Sequence, residues 1–332
     1  MGEPIDADLE DWADLSSKEW PTLLLGNGLS INLWSGFQYD SLYNSASLTP
    51  AAQAIFTELG TSNFEQCLEC LHHANIALRA LQESTSKVDQ TYAEVRDALF
   101  ETVSDVHVPW GAFPQPTHDL LAETMNGHKA VFTTSYDLCL YWSHLQAGSR
   151  VNIVDFFWAT GHRFDDADTV VRSSSATRVY YLHGGLHLWQ DDLTGDNGKW
   201  TSADGRLLSI QSHYGPTSTR RPLFVSEGSS AAKSRTIRQS TYLTFCLDEL
   251  RGDDRPTVLF GQSLATQDDH IAEALNEGPR RRIAVSLYPA GDDNAIISEK
   301  VRILKRLPNH KVRFFDSTTH PIGSATLRIT AP

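Results

Sequence analysis

The residues that could do chemistry begin with a glycine-rich turn, Gly26-Asn27-Gly28-Leu29-Ser30, which directly follows the apolar run Leu23–Leu25. This pattern predicts a buried first strand that turns into a phosphate-binding loop and a helix. Glycines let the backbone approach a diphosphate, and the N-terminus of the next helix favours negative charge. The third glycine of the GxGxxG fingerprint is missing, so an ordinary strand–turn–helix junction is the alternative.

Polar residues at the ends of three later predicted strands supply the other candidates. In chain order they are Thr134-Ser135-Tyr136-Asp137, His183-Gly184-Gly185 and Gly261-Gln262-Ser263. The carboxyl ends of parallel strands share one edge of a sheet, and ligands of α/β proteins bind there. The four strand-end stretches (residues 26–30, 134–137, 183–185 and 261–263) therefore predict a nucleotide site.

Each candidate side chain also has a structural explanation. Helix capping would account for Ser30, Asp137 and Ser263, and a left-handed turn would account for Asn27. His183 could be an ordinary histidine at a strand end. Its functional interpretation is that a neutral imidazole, with an unperturbed pKa near 6.5, can act as a general base at neutral pH.

The sequence predicts no metal site. Cys67 and Cys70 lie close together, but no second cysteine pair completes a tetrahedral zinc site. Asp268 and His270 follow the last strand-end stretch without an identifiable third ligand, so capping and packing explain them. Lys233 is expected in a polar surface loop before a helix.

Strands and helices alternate along the chain. Strands are expected at 21–25, 129–134, 151–158, 179–182, 223–225, 257–260, 283–288 and 311–315, and helices at 50–82, 87–106, 117–125, 234–250, after Ser263 to 275, and 296–306. This order predicts an α/β fold with a mostly parallel sheet covered on both faces. Residues 190–221 are expected to form loops or a small hairpin, and His187 is a candidate pocket wall.

The composition excludes some classes of protein. The 332 residues are 40% hydrophobic and 21% charged, which is ordinary for a globular protein with a full core. The net charge of −13 argues against a general nucleic-acid or anionic-membrane binder, because few Lys and Arg are available to neutralise phosphates. Few cysteines, no signal peptide and no long apolar run predict a cytoplasmic protein.

In their order, the four stretches resemble the motifs of the sirtuin-like family, in particular its bacterial branch of NAD hydrolases in anti-phage defence. Residues 26–30 resemble the GAGxS phosphate loop, residues 133–137 the TTNYD element, His183-Gly184 the catalytic His-Gly, and residues 261–264 the GTSL element. The resemblance implies a sirtuin-like, Rossmann-type sheet and NAD+ as a substrate that is cleaved to nicotinamide and ADP-ribose. It implies catalytic roles for His183, Ser135 and Asp137, and NAD binding by Gly26, Asn27, Gly28, Ser30, Thr134, Gly184, Gly261 and Ser263.

Two departures from the family pattern affect the expected activity. The four-cysteine zinc module of sirtuin deacylases is absent, which disfavours protein deacylation. Ser135 stands where the family has asparagine, whose amide helps to hold the ribose and the attacking water. A serine offers one hydroxyl instead of a separate donor and acceptor. A serine that works through a further water, a weakened enzyme and an inactivated variant all remain open, as does a scaffold that binds NAD or ADP-ribose without turnover.

The expected organisation is an N-terminal extension (1–19) and one sirtuin-like domain (20–332). Within that domain we expect an inserted helical block (50–126) and a loop-rich insertion (160–235). Because free depletion of NAD would be toxic, the resemblance implies that assembly or a partner restrains the enzyme. We therefore expect a homo-oligomer, with the helical block as a candidate interface, and a separately encoded ATPase or sensor as a possible partner. No membrane or direct nucleic-acid contact is expected.

Overall fold

A computed structural model describes residues 5–201, 207–208, 214 and 217–330. In this part of the chain the strands are β1 (Thr22–Leu25), β2 (Ala130–Thr133), β3 (Ile153–Val154), β4 (Thr177–Tyr181), β5 (Gly184–Asp191), β6 (Asn197–Lys199), β7 (Arg220–Phe224), β8 (Thr257–Phe260), β9 (Arg282–Leu287) and β10 (Lys311–Asp316). Seven of them form one parallel sheet in the order β10-β9-β8-β1-β2-β4-β3. The predicted α/β class with a parallel, Rossmann-type sheet is confirmed.

The helices cover this sheet and fill the connections between its strands. They are α1 (Trp12–Ser16), α2 (Asn27–Leu33), α3 (Tyr39–Ser45), α4 (Pro50–Leu59), α5 (Phe64–Ala80), α6 (Ser86–Asp105), α7 (Gln115–Asn126), α8 (Cys139–Ala147), α9 (Ser230–Arg238), α10 (Thr241–Gly252), α11 (Asp269–Glu277) and α12 (Asp293–Arg306). No helix in the described ranges is both long and apolar enough to cross a membrane.

The central strands are short, apolar and buried. All four residues of β1, β2 and β8 are buried, because strands of a parallel sheet with two covered faces have no solvent-facing side. In the sheet, β2 and then β4 lie on one side of β1, and the later strands β8, β9 and β10 lie on its other side. The order of the strands therefore reverses between β1 and β8, which is where open α/β sheets form a ligand crevice.

Two predicted helices are each divided into two. The helix expected over 50–82 ends at Gly60, which adopts φ +61° as the C-cap of α4, and α5 starts afresh after the Asn63 cap. A left-handed residue cannot continue a right-handed helix, and glycine adopts it without strain. The helix expected over 234–250 is likewise interrupted at Ser240, whose side chain caps α10 by accepting from the Leu243 amide.

Two strand predictions differ from the structure. The strand expected over 151–158 shrinks to β3, since Phe156 has φ +69°, which extended backbone does not allow. The loops or small hairpin expected over 190–221 are part of a larger element, because β5 pairs with β6 and β7 in an antiparallel sheet that begins directly after His183. The parts of that prediction at 202–206, 209–213 and 215–216 lie outside the described residues.

Candidate active site

A cavity of about 410 Å³ lies at the carboxyl ends of β1, β2, β4 and β8. Residues from all four strand-end stretches line it. The predicted site residues in its wall are Asn27, Gly28, Thr134, Ser135, Asp137, His183, Gly261 and Ser263, whereas Gly26, Ser30 and Gly184 are not among the lining residues. The cavity therefore sits at the crevice where the strand order reverses.

The glycines of the first stretch are required by the crossing of two backbones. A Cβ on Gly26 would lie 2.4 Å from the Gly261 carbonyl oxygen, and one on Gly28 would lie 2.7 Å from the Gly261 Cα. The Gly26 amide donates to the Phe260 carbonyl and the Gly28 amide to the Gly261 carbonyl, both at 2.9 Å. These two amides are therefore used within the protein, and NAD binding by Gly26 and Gly28 stays a prediction.

We expect alanine at Gly28 to destabilise the fold by about 1–3 kcal/mol, the range for overpacking a tight site. The contact is with the Gly261 backbone, which cannot rotate away as a side chain can. Urea denaturation of G28A measures the loss. G111A is the matched control, because no heavy atom lies within 4 Å of a Cβ at Gly111. Equal stabilities of the two variants would contradict the backbone-crossing explanation.

A short hydrogen-bonded chain joins the first two stretches. The Ser30 hydroxyl lies 2.5 Å from Oδ2 of Asp137 and 3.2 Å from Oγ of Ser135, and Oδ1 of Asp137 accepts from the Cys139 amide at 2.8 Å. The three side chains are buried, with at most 8% exposed. Asp137 thus connects the start of α8 to the first turn of α2. It lines the cavity, but both of its carboxylate oxygens already accept hydrogen bonds within the protein.

His183 lies in the cavity wall and is neutral at pH 7. Burial, followed by the nearby Lys233 ammonium, lowers the pKa of His183 well below 6.5. Its Nε2 atom is 2.8 Å from Nε2 of His270 and 3.9 Å from Oδ1 of Asp268. A neutral imidazole beside a carboxylate can accept a proton, and its lowered pKa makes it a weaker base than an exposed histidine.

Lys233 is the clearest residue that sequence reasoning places wrongly. The sequence predicts a surface loop, but Lys233 lies in α9 with a fully buried side chain, and its ammonium is 2.8 Å from Glu65 and 2.9 Å from Asp268. Burial alone would lower the pKa of Lys233, but the two carboxylates outweigh it and raise the pKa. Lys233 is 168 positions from Glu65 and 35 positions from Asp268 in the sequence. No sequence pattern links residues at these separations, so only the fold reveals this cluster.

The two carboxylates respond differently to the shared ammonium. Burial alone would raise the pKa of Asp268, but Lys233 holds it at about 2, so Asp268 is ionised at neutral pH. Burial raises the pKa of Glu65, with Lys233 acting against the rise. Glu65 also accepts a hydrogen bond from the Tyr136 hydroxyl at 3.3 Å. The cluster therefore connects α5 to the strand-end residues on which the cavity is built.

Segments between β1 and β2 supply much of the remaining wall. The lining residues from this part of the chain include Phe37, Tyr39, Leu42, Phe64, Glu65, Leu99 and Val103. Sequence periodicity places Leu99 and Val103 on an apolar helix face but gives no signal that this face meets a cavity rather than solid core. The wall of the cavity is therefore partly apolar and partly ionic.

The Asp268–His270 pair has a third neighbour that the sequence does not indicate. His183, Asp268 and His270 each offer a possible ligand atom, and these atoms lie within 4.8 Å of one another. However, the two histidine nitrogens bond to each other, and the Lys233 ammonium lies 2.9 Å from Asp268. A bound cation would have to break the hydrogen bond between the two histidines, and the Lys233 ammonium would repel it. The donor set therefore does not fit a metal ion, and we derive no metal chemistry from it.

His187, a candidate pocket wall from the sequence, is not among the cavity-lining residues. It is fully buried, stacked on Tyr141 at a ring-centroid distance of 4.2 Å and in edge contact with Tyr181. Neither ring nitrogen has a hydrogen-bond partner among the described residues. Burial, then the Lys199 ammonium, lowers the pKa of His187 to about 3.

This histidine should make the fold sensitive to mild acid. Below pH 6.5 the unfolded chain binds a proton at His187 and the folded chain does not, so stability falls as pH falls, until about pH 3. Between pH 7.5 and 5.5 the difference in unfolding free energy between H187F and the wild type should shift by about 1.4 kcal/mol in favour of the variant. Denaturant titrations at the two pH values measure it, and a pH-independent difference would show that His187 is charged or solvated in the fold.

A family model covers most of this chain. The chain belongs to the DUF4917 family, described as a domain of unknown function, which it matches over residues 23–322. No curated protein matches the chain. Among solved structures, one entitled "Structural Basis for the Mechanism and Regulation of Sir2 Enzymes" is 15% identical, covering 86% of this chain and 91% of that chain with a TM-score of 0.35. That likeness is too weak to carry an argument about function.

Proposed function

We propose that the protein is an NAD+ glycohydrolase, which cleaves NAD+ to nicotinamide and ADP-ribose. One observation carries the proposal: residues from all four stretches that resemble sirtuin-like motifs line a single cavity, with the neutral His183 in its wall. Independent surface turns would have scattered these residues. The Rossmann-type sheet and the position at its crevice are the general setting of nucleotide sites.

The shape around the crevice fits a two-ended ligand. A second recess of about 290 Å³ shares Gly261, Gln262 and Ser263 with the main cavity and extends along Tyr288 and Glu299. A dinucleotide has two nucleosides joined by a diphosphate, so we infer that its reactive end occupies the cavity beside His183. The adenosine end then lies in the second recess, with Ser263 between the two.

The proposed reaction needs a base rather than an acid. The bond between C1′ of the ribose and the nicotinamide nitrogen breaks, and the electron pair neutralises the cationic ring, so no proton is required to expel it. A water oxygen bonds to C1′, and His183 accepts the proton that this water loses.

Ser135 favours a second candidate, a scaffold that binds NAD or ADP-ribose without turnover. Its hydroxyl lies 3.2 Å from the Ser30 hydroxyl, and it lacks the amide that would hold both ribose and water. The carboxylate of nearby Asp137 already accepts hydrogen bonds from the Ser30 hydroxyl and the Cys139 amide. Binding without hydrolysis is therefore the alternative that the local contacts support.

The test is incubation of purified protein with NAD+ and chromatographic quantification of nicotinamide and ADP-ribose, for the wild type and S135N. Turnover by the wild type supports the hydrolase. Turnover by S135N alone, with stoichiometric NAD binding by the wild type in calorimetry, supports the scaffold. If both proteins fail to hydrolyse NAD+ and also fail to bind it, both candidates are refuted.

We further propose, from the motif resemblance, that the protein acts in the bacterial cytoplasm as an anti-phage effector within one domain over residues 20–332. A homo-oligomer and a separately encoded ATPase or sensor would restrain it. Light scattering of the purified chain tests the oligomer, and a monomer at micromolar concentration would contradict it. Phage challenge of cells that carry the wild type or H183A tests the defence role.

A further inference from the structure

His183 forms part of a hydrogen-bonded line that runs away from the cavity. Its Nε2 atom is 2.8 Å from Nε2 of His270, and Nδ1 of His270 is 3.2 Å from the Ser230 hydroxyl. Ser230 also accepts from the backbone amide of His270 at 2.8 Å, which fixes the hydroxyl at the start of α9 against α11. One of the two facing Nε2 atoms must carry a proton and the other must accept it.

The direction of that bond decides whether His183 has a free lone pair. If His270 donated, the Nε2 lone pair of His183 would be used and its Nδ1 would carry the proton, leaving no basic nitrogen. If His183 donates, its Nδ1 lone pair is free. No described residue hydrogen-bonds to Nδ1 of His183, and the residue lines the cavity.

The Asp268 carboxylate favours donation by His183, against the opposite effect of the Lys233 ammonium that it binds. The ionised Asp268 lies 3.9 Å from Nε2 of His183, and a negative charge favours a proton there over a lone pair. Ser230 has two acceptor lone pairs, so it can accept from both the amide and Nδ1–H of His270. Burial lowers the pKa of His270 to about 4, so this ring is neutral and keeps one acceptor nitrogen.

We propose that His270, held by Ser230, is a positioning residue that accepts the Nε2 proton of His183 and so keeps the Nδ1 lone pair directed to the cavity as the general base. The proposal rests on the proposed function. In the reaction, Nδ1 takes a proton from water while the Nε2 proton stays shared with His270. Asp268 stabilises the imidazolium that forms, Lys233 and burial act against it, and the new proton later leaves to solvent.

Two substitutions of similar size separate this role from packing. H270Q keeps an acceptor oxygen, and H270L removes it. We expect H270L to lower kcat for NAD+ hydrolysis about 10- to 100-fold, which is less than the roughly 10²- to 10⁴-fold that a general base itself contributes, with KM changed less than about 3-fold. H270Q should stay within about 5-fold of the wild-type kcat. Exposed His73 provides the control H73L, which should leave kcat unchanged.

A measurement without turnover gives an independent answer. The ¹⁵N NMR signals of His183, assigned by comparison with H183Q, should show Nε2 protonated and Nδ1 bare in the wild type, and this preference should disappear in H270L. A proton on Nδ1 in the wild type, or a kcat of H270L equal to the wild type, overturns the proposal. An inactive wild type would refute the proposed hydrolase, while the NMR result on the wild type would still decide the direction of the bond even if H270L failed to fold.

Discussion

Replacing His183 with alanine should lower NAD+ turnover by about 10²- to 10⁴-fold, the contribution that a positioned general base makes. The side chain lies in the wall of the 410 Å³ cavity and is neutral at pH 7, so it is a nitrogen base that a substrate in this cavity would meet. KM should change little, because the proposed binding contacts come from the other strand-end stretches. Quantification of nicotinamide under saturating NAD+ measures the effect.

The control for this variant is H73A, an exposed histidine on α5 far from the proposed chemistry. Circular dichroism should show that H183A keeps the wild-type secondary structure. Its melting temperature should drop modestly, because His270 loses a buried hydrogen-bond partner. Full turnover by folded H183A would remove His183 from the mechanism and transfer the role of base to another group.

Replacing Lys233 with methionine should destabilise the fold by about 3–5 kcal/mol, the usual loss when one partner of a buried ion pair is removed. Methionine fills similar space but leaves the Glu65 and Asp268 carboxylates facing one another without a cation. Lys233 has no exposed side-chain surface, so water cannot replace the lost charge. Urea denaturation gives the free-energy difference.

The matched control is K87M, an exposed lysine on α6 that should change stability by less than about 0.5 kcal/mol. Adding E65Q to K233M should recover part of the loss, because it removes one uncompensated carboxylate. Burial already raises the pKa of Glu65, so its protonation in acid should make the K233M penalty smaller at pH 5 than at pH 8. A penalty of the same size as for K87M would show that the cluster contributes little to stability.

The sequence by itself determined the elements that have strong local signals. Continuous apolar runs such as Leu23–Leu25 are typical of buried parallel strands, and the structure has β1, β2, β4, β8 and β9 where apolar runs occur. Because parallel strands end at one edge of a sheet, the positions of His183 and Gly261 after two such runs are enough to assign them to one site. Both line the same cavity.

Local signals were weaker at element boundaries. Gly60 and Ser240 interrupt helices whose apolar spacing continues on both sides. Phe156 has a left-handed backbone conformation that limits the preceding strand, and its residue type does not predict that conformation. The spacing of apolar residues reports which face is buried, and it does not report where the backbone must turn. These boundaries were decided by capping and by the packing of the next element.

Only the tertiary structure decided the surroundings of the site. Lys233, Glu65 and Asp268 come from three distant parts of the chain, and a buried ion cluster has no sequence pattern of its own. The same holds for the contact between His183 and His270, 87 positions apart. Coulomb forces and hydrogen bonds act through space, so the chemistry of this cavity depends on neighbours that the order of residues does not reveal.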